Sequence, residues 1–488
     1  MRRGSRSLEA CSCVPMVSEM VLEELEANAK EFALTKGLCR RAREIFHEDY
    51  VEPVRFCLFP TPLQARWCAL ARKAQIGLNM FLHRMARDNQ ALFEALKRIT
   101  AIDPFLRDLY DIHVKVNDDK NAGTASLTIL RSTYMMDEKS EKLKLIDWCT
   151  MAVSNVGLST TIHEMQRFIV NKLTPDQADN KPDYDTRRDV VNGLIKAWEY
   201  YDNKEAIILL VVEDKATKVG DEKSLEIAVF EQNPGILVKR KRFLDLITET
   251  HLDEANVLRV EKAEVAVIYY MTGYKHDDYR FRGAWNVRAL LERSKAVKCP
   301  SIRHQLAGAS RIFFLMQNKI DFIEKFLTDQ EHVKTIQGLL GRTLSLAKEE
   351  DGDKNIELIL HAPQDWILKP QRQNGKDAFR TYANDEMTNK LARIKQQDNR
   401  DCYYALERVK PCTSSNFACI PNSSLADNGY GRSQMAAKLD IYGILLSVDQ
   451  HKILLNSEAG CLIRNKDLFL ERSSGTDGAS FYTTPFFY

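Results

Sequence analysis

No apolar run in this 488-residue chain approaches the roughly 20 residues needed to span a bilayer, so it does not read as transmembrane. An excess of charge of one sign is equally lacking. Lys and Arg total 70 against 68 Asp and Glu, a net +2, which gives no reason to expect nucleic acid or an anionic membrane as partner. The eleven cysteines form no CxxC pair, and Cys11 and Cys13 stand a single residue apart. An odd, scattered set in a long chain reads as reduced thiols in a cytosolic fold. The basic start, Met1-Arg2-Arg3-Gly4-Ser5, is not followed by the apolar stretch of about 7–15 residues that a signal peptide needs. A cytoplasmic chain is therefore expected, or a secreted one if an apolar leader precedes Met1 in the full gene. The sequon Asn422-Ser423-Ser424 points weakly toward the second. Internal repeats and low-complexity tracts are missing, and His113, His163 and His304 show no spacing that suggests a metal site.

What is there is ordinary globular composition, 44% hydrophobic and 28% charged, at a length that predicts roughly three domain-sized units. Apolar residues recur three and four apart over Ser18–Lys36 and Pro62–Met85, which predicts long amphipathic helices. Ser126–Arg131 and Lys142–Trp148 are short apolar runs suited to buried strands, and Asp185–Tyr201 returns to helix. The runs Ala206–Val212 and Val265–Tyr270, with helical pattern at Lys223–Gln232 between them, imply βαβ units and a parallel sheet. Beyond them the reading alternates helix (Ser310–Phe326, Val333–Leu346) with strand (Trp366–Lys369, Cys402–Leu406, Leu439–Val448). Pro411–Arg432 and Ser473–Ser480 read as loops, and the closing aromatics from Phe481 to Tyr488 pack the terminus onto the core.

One string carries chemistry by itself. In Trp366-Ile367-Leu368-Lys369-Pro370-Gln371-Arg372-Gln373-Asn374-Gly375-Lys376 a buried strand delivers a lysine and a polar loop follows. A strand-end lysine can meet phosphate oxygens while loop N–H groups approach them. A single glycine cradles little, however, and taken alone the string reads as an exposed turn with a solvated lysine. Other strings change that reading. Leu130-Arg131-Ser132-Thr133-Tyr134-Met135, Lys196-Ala197-Trp198-Glu199, Glu292–Pro300, Gln305-Leu306-Ala307-Gly308, Leu368–Arg372 and Leu462-Ile463-Arg464-Asn465-Lys466 together resemble eukaryotic glutathione synthetases, in that family's order and close to its spacing.

The resemblance implies an α/β chain, an α+β ATP-grasp fold with a Rossmann-like substrate-binding insert and an N-terminal helical region. The expected division is 20–205 for the helical region and first part of the core, 206–307 for the insert, and 308–488 for the rest of the core with its lid. It further implies ATP-dependent joining of γ-glutamylcysteine to glycine through an acyl phosphate, with ATP and Mg2+, in a homodimer. By the same resemblance Arg131, Ser154, Tyr274 and Arg464 would bind substrate, and Lys369, Glu407, Lys466 and Gly375 the nucleotide. Arg131 and Arg464 could instead be partners in structural ion pairs.

Departures from the family pattern cluster at the reactive centre. Its Glu-Ile-Asn-Thr metal segment is Asp147-Trp148-Cys149-Thr150 here, and its third metal carboxylate falls on Gln373. Asp147 remains a candidate ligand, but sulfur at Cys149 is soft where magnesium prefers oxygen. Cys149 could be a reactive thiol, though a lone cysteine beside Trp148 more often packs inertly. The glycine-rich lid becomes Arg372-Gln373-Asn374-Gly375-Lys376-Asp377-Ala378, with Lys376 read as a solvated loop charge. Ala309-Ser310-Arg311 lacks a family lysine, Met271-Thr272-Gly273-Tyr274 lacks a family arginine, and an acidic nucleotide-site position is Lys438. Ligation that is weak, altered in its amine acceptor or absent is therefore expected; the alternative is a catalytically inactive binding protein serving as a secreted effector, since the divergence resembles that of the glutathione synthetase-like proteins secreted by plant-parasitic nematodes.

Overall fold

The computed structural model describes residues 15–42, 46–174, 184–215, 217–371, 381–395, 397, 400–468 and 480–488. Helices α1 (Glu19–Thr35), α2 (Ala65–Arg87), α3 (Asn89–Thr100) and α4 (Pro104–Asn117) come first. Pro104 enters α4 at a position whose N–H would be unpaired anyway, and Asp103 caps it by accepting from the N–H groups of Phe105 and Leu106 at 3.0 and 3.3 Å. A hairpin follows, β1 (Ser126–Asp137) and β2 (Lys142–Cys149), then α5 (Val156–Leu173) and α6 (Thr186–Tyr201).

The next strands are β3 (Ile207–Val212), β4 (Val238–Arg242), β5 (Ala263–Tyr270) and β6 (Val297–Cys299), with α7 (Val219–Gln232) between the first two. They lie parallel in the order β4-β3-β5-β6. All six residues of β3 are buried, as an Ile/Leu/Val run covered on both faces requires. β6 then pairs parallel to the start of β1 at Lys298 and Ser126, so the parallel strands continue edge to edge into antiparallel ones.

A separate antiparallel sheet holds β7 (Thr343–Ser345), β8 (Trp366–Pro370) and β9 (Tyr403–Glu407), with β9 central. Two 15-residue strands, β10 (Ser433–Ser447) and β11 (Ile453–Asp467), complete the large sheet in the order β2-β1-β10-β11. Phe481–Thr483 adds to the edge of β11, and buried Phe481 fixes the terminus there.

One apolar cluster fills the side under α2, α3 and α4, and a second fills the side under α1, α5 and α6. A third, built on Leu346, Ile356, Trp366, Leu368 and Met387, belongs to the three-stranded sheet. Among the described residues no helix is long and apolar enough to cross a membrane, and no two of the nine described cysteines form a disulfide.

Three expectations differ in extent. Ser310–Phe326 is two helices broken at Lys319, and Val333–Leu346 is a helix only to Leu339 before β7 begins. Pro411–Arg432 contains short strands at Thr413–Asn416 and Ala418–Cys419 that zip the loop to its neighbours. Most of the expected loop Ser473–Ser480 lies outside the described residues.

Candidate functional site

Strand register assembles the site. Cys149 lies opposite Arg131, which lies opposite Tyr442; Asp147 lies opposite Thr133, which lies opposite Asp440. Lys438 faces Arg464, and Ala436 faces Lys466. Alternate residues of a strand share a face. Asp147, Cys149, Arg131, Thr133, Asp440, Lys438, Arg464 and Lys466 therefore stand on one face of β2-β1-β10-β11. The other face carries Leu130, Leu439, Ile441 and Ile463 into the core below α2. A one-residue slip in any strand would bury these charges, so the apolar alternation on the far side holds the site's register.

At the centre is Asp440, fully buried. Arg464 grips it in a fork: its Nε donates to Oδ2, and its Nη2 to Oδ1 at 2.8 Å. Thr133 Oγ1 donates to the same Oδ1 at 2.6 Å. Burial by itself would raise the Asp440 pKa, but Arg464 and Arg131 outweigh it and hold the carboxyl below its usual range. Arg131 is different. Its buried Nε has no hydrogen-bond partner among the described residues.

Lysines crowd the same face. Lys369, on β8, donates from Nζ to the Ile146 carbonyl at 2.8 Å and stands 3.7 Å from Asp147 Oδ1, tying the small sheet to β2. Half-buried Lys438 has its pKa lowered by burial first, then by Arg464, Lys466 and Lys369, with Asp147 opposing. Cys149 Sγ donates to the Met151 carbonyl at 3.2 Å. Trp148 Nε1 reaches the Gly308 carbonyl at 3.1 Å, and a Cβ on Gly308 would stand 2.1 Å from Thr150 Oγ1. Only glycine lets these two segments meet. Gln371, just past β8, accepts from Arg311 Nη1 at 3.0 Å and donates to the Asp401 carbonyl at 2.8 Å.

Ser154 and Tyr274 lie on a neighbouring wall. The Ser154 carbonyl accepts from Tyr442 Oη at 3.2 Å, which links it to the charged face. The N-terminus of α5 beyond it is filled from inside: buried Asp221 accepts from the N–H groups of Asn155 and Gly157 at 2.6 and 2.7 Å. Beside Asp221, Glu222 is pushed up to about 7 by burial and then by the Asp221 charge, and its Oε2 has no hydrogen-bond partner among the described residues. Tyr274 Oη donates to Glu213 at 2.8 Å, and the Lys275 ammonium sits 5.3 Å from its ring centre. Glu407 ends β9 exposed and lines a cavity of about 910 Å³ with Lys142, Lys144, Arg342, Trp366 and Arg408. Gln373 and Gly375 lie outside the described residues.

The sequence reading missed Asp440, Thr133 and Asp221. Asp440 had a signal, a lone carboxylate inside the apolar strand Leu439-Asp440-Ile441-Tyr442. Thr133 and Asp221 had none, because only register and helix packing bring them to their partners.

Magnesium wants hard oxygen donors in near-octahedral array. The residues present do not fit it: Asp147 has a lysine ammonium as its neighbour, and sulfur occupies the next same-face position. Among the described residues no three His, Cys, Asp or Glu side chains are grouped to hold a metal ion.

Comparison with known proteins bears on this arrangement. The family model described as eukaryotic glutathione synthase, ATP binding domain, matches residues 19–486. Glutathione synthetase from Rattus norvegicus is 30% identical over 454 residues, covering 92% of this chain and 93% of that protein. The Homo sapiens enzyme is 29% identical over 451 residues, covering 91% and 92%. A solved structure of a glutathione synthetase-like effector from Globodera pallida, in its apo form, superposes with a TM-score of 0.77 at 19% identity, covering 98% of this chain and all of that one.

Proposed function

This chain belongs to the eukaryotic glutathione synthetase family, and from that membership we propose that it binds ATP and a γ-glutamyl thiol but ligates them to glycine slowly or not at all. The observation that carries the proposal is the Asp147–Lys369 contact at 3.7 Å, with Cys149 at the next position on the same face. In this reading Arg131, with its unfilled Nε, takes the substrate carboxylate. Arg464 is already spent on Asp440, so it holds the face together and offers a ligand only what the fork leaves over. Lys369 and Lys466 attract phosphates, Glu407 marks the adenine end, and Ser154 and Tyr274 line the thiol side. An amine other than glycine as acceptor belongs to the same proposal, because Met271 replaces a family arginine and Ser473–Ser480 stands where the family has an alanine-rich substrate loop. A homodimer belongs to the same proposal.

The second reading is a binding protein without catalysis, serving as an effector. The lid substitutions at Asn374 and Lys376 favour it, since side chains there restrict positive φ and close backbone approach.

Phosphate release from ATP, with and without γ-glutamylcysteine and glycine at saturating magnesium, separates these readings. Metal charge stabilisation in a transition state is worth several kcal/mol, and each 1.4 kcal/mol is about tenfold in rate. The unmodified chain is expected to be slow. A variant with Asp147→Glu, Cys149→Asn and Gln373→Glu is expected to be at least about tenfold faster. Fast release by the unmodified chain overturns the proposal, and silence from both supports the second reading.

A further inference from the structure

The cavity of about 910 Å³ that Glu407 borders is walled by the tip of the β1–β2 hairpin, the turn entering β7, the helix Gly352–His361 and the segment leaving β9. Neither Arg131, Lys369, Lys438, Arg464 nor Lys466 lines it. Strand register accounts for the separation. In the pairing of β8 with β9, Trp366 lies opposite Glu407 and Lys369 opposite Tyr404. Successive residues of a strand take opposite faces. Trp366 and Glu407 thus share the face whose Leu368 and Ala405 pack with Ile356 and Ile359, while Ile367 and Lys369 take the other.

Cations reach this cavity from several directions. Lys139, Lys142 and Lys144 come from the hairpin, Arg342 from the turn before β7, and Arg408 and Lys410 from the segment after β9. Lys142 and Lys144, two residues apart on β2, share a face. Burial and then the Lys142 charge lower the pKa of half-buried Lys144, with Glu407 and Asp137 opposing, and its ammonium has only the Leu340 carbonyl at 2.7 Å. Arg342 sets its guanidinium over the Trp366 ring, 5.3 Å from the centre, which leaves its N–H edge for an oxygen. Lys354 pairs with Asp351 at 2.9 Å, but the other six cations form no ion pair among the described residues. Of the wall carboxylates Asp137, Glu357, Asp365 and Glu407, the first already accepts from the N–H groups of Ser140 and Lys410 at 2.9 and 3.1 Å.

We propose that this cavity binds a small polyanion carrying several phosphate groups, held by the hairpin lysines on one side and by Arg342, Arg408 and Lys410 on the other. A concave space of this size is ordinary for a small ligand, and a wall this polar selects a charged one. A phosphate monoester carries about −1.5 to −2 charge at pH 7, so each group can meet more than one cation, which a carboxylate does less well. Ammonium groups are point charges that need no fixed coordination geometry, and guanidinium edges add paired donors. Apart from Glu407 the cavity shares no residue with the charged face, so the inference does not depend on reading that face as a nucleotide site.

The test is calorimetric titration of the full chain with inositol hexakisphosphate and with tripolyphosphate, in EDTA at about 150 mM salt, where exposed charges more than roughly 8 Å apart are largely screened. At least one probe is expected to bind. Binding of the hexakisphosphate alone supports a ligand with ring-borne phosphates, and binding of tripolyphosphate alone a linear one. The double variant Lys142→Ser, Lys410→Ser is expected to weaken that binding by about tenfold or more. A control, Lys204→Ser with Lys262→Ser, removes the same charge from exposed lysines that do not line the cavity and is expected to change it by less than about twofold. No binding of either probe overturns the inference. Unchanged affinity in the Lys142, Lys410 variant overturns it by placing the probe elsewhere, the charged face included. Equal weakening in both double variants overturns it as attraction without a site. Lys142 and Lys410 are exposed, so the melting temperature is expected to hold. Should the pair fold poorly, Lys142→Gln alone decides: about threefold weaker binding in the folded variant supports the inference, and no change overturns it.

Discussion

Replacing Asp440 by Asn removes the one fully buried carboxylate on the charged face while keeping its shape. The variant leaves the Arg464 fork facing a neutral amide and Arg131 with no buried counter-charge. Breaking a buried ion pair by deleting one partner typically costs about 3–5 kcal/mol, and loss of the Thr133 hydrogen bond to a charged oxygen adds to that. Since the Asn oxygen can still accept one bond, about 3 kcal/mol is the expected loss. Urea unfolding at neutral pH measures it as a lower midpoint with an unchanged slope. Removing Arg464 as well should recover part of the loss, because the two side chains couple through one contact, by about 1–3 kcal/mol in a double-mutant cycle. The pH dependence gives a second check. The folded-state pKa of Asp440 is depressed, so its contribution is present above the unfolded carboxyl value near 4 and is lost as pH falls through the lower folded value. The gap between parent and Asp440→Asn should hold from about pH 7 to pH 5 and close only in stronger acid. A loss under about 1 kcal/mol, or a gap that already closes by about pH 5, would refute the argument.

Glu222 has the opposite sign. Its folded pKa is raised to about 7, so the protonated form is favoured on folding and stability falls as pH rises from the unfolded value near 4.5 through about 7. Glu222→Gln should therefore stabilise the chain by on the order of 2 kcal/mol at pH 8 and by little near pH 4, read as melting temperatures at the two values. Gly308→Ala should destabilise by about 1–3 kcal/mol, because its Cβ would meet Thr150 Oγ1 at 2.1 Å, and pairing it with Thr150→Ser should not restore stability, since the hydroxyl remains. A neutral effect in denaturant unfolding would show that the two segments separate easily.

Much of this was legible in the chain. The unbroken apolar run of β3 and the periodicity of α2 announce themselves, and so does the strand that carries Lys369. Other features were hidden for physical reasons. β11 breaks the expected alternation at Asn456-Ser457-Glu458, where Asn456 and Glu458 bond to α2 through Asn79 and Arg72 instead of following a buried-exposed rhythm. The helix expected over Val333–Leu346 stops early because Leu344 and its neighbours pair with β9, a tertiary demand that local periodicity does not contain. The charged face followed the same division. Arg131, Lys369, Arg464 and Lys466 stand in the motif strings, whereas the Asp440 fork needed the register of β10 against β11 and β1. Substitution at the metal segment was visible in sequence, but the cation beside Asp147 came from a strand of another sheet.

On the proposed function, the family fold persists here without family-level ligation. The most direct measurement is the rate of γ-glutamylcysteinylglycine formation, quantified by mass spectrometry at saturating ATP, magnesium, γ-glutamylcysteine and glycine, beside the Rattus norvegicus enzyme under the same conditions. With two ligand positions altered and several kcal/mol attached to the metal, kcat is expected to lie at least about a thousandfold below that of the rat enzyme. A kcat within about tenfold of it would contradict the claim and show that Asp147 and Cys149 suffice for the chemistry.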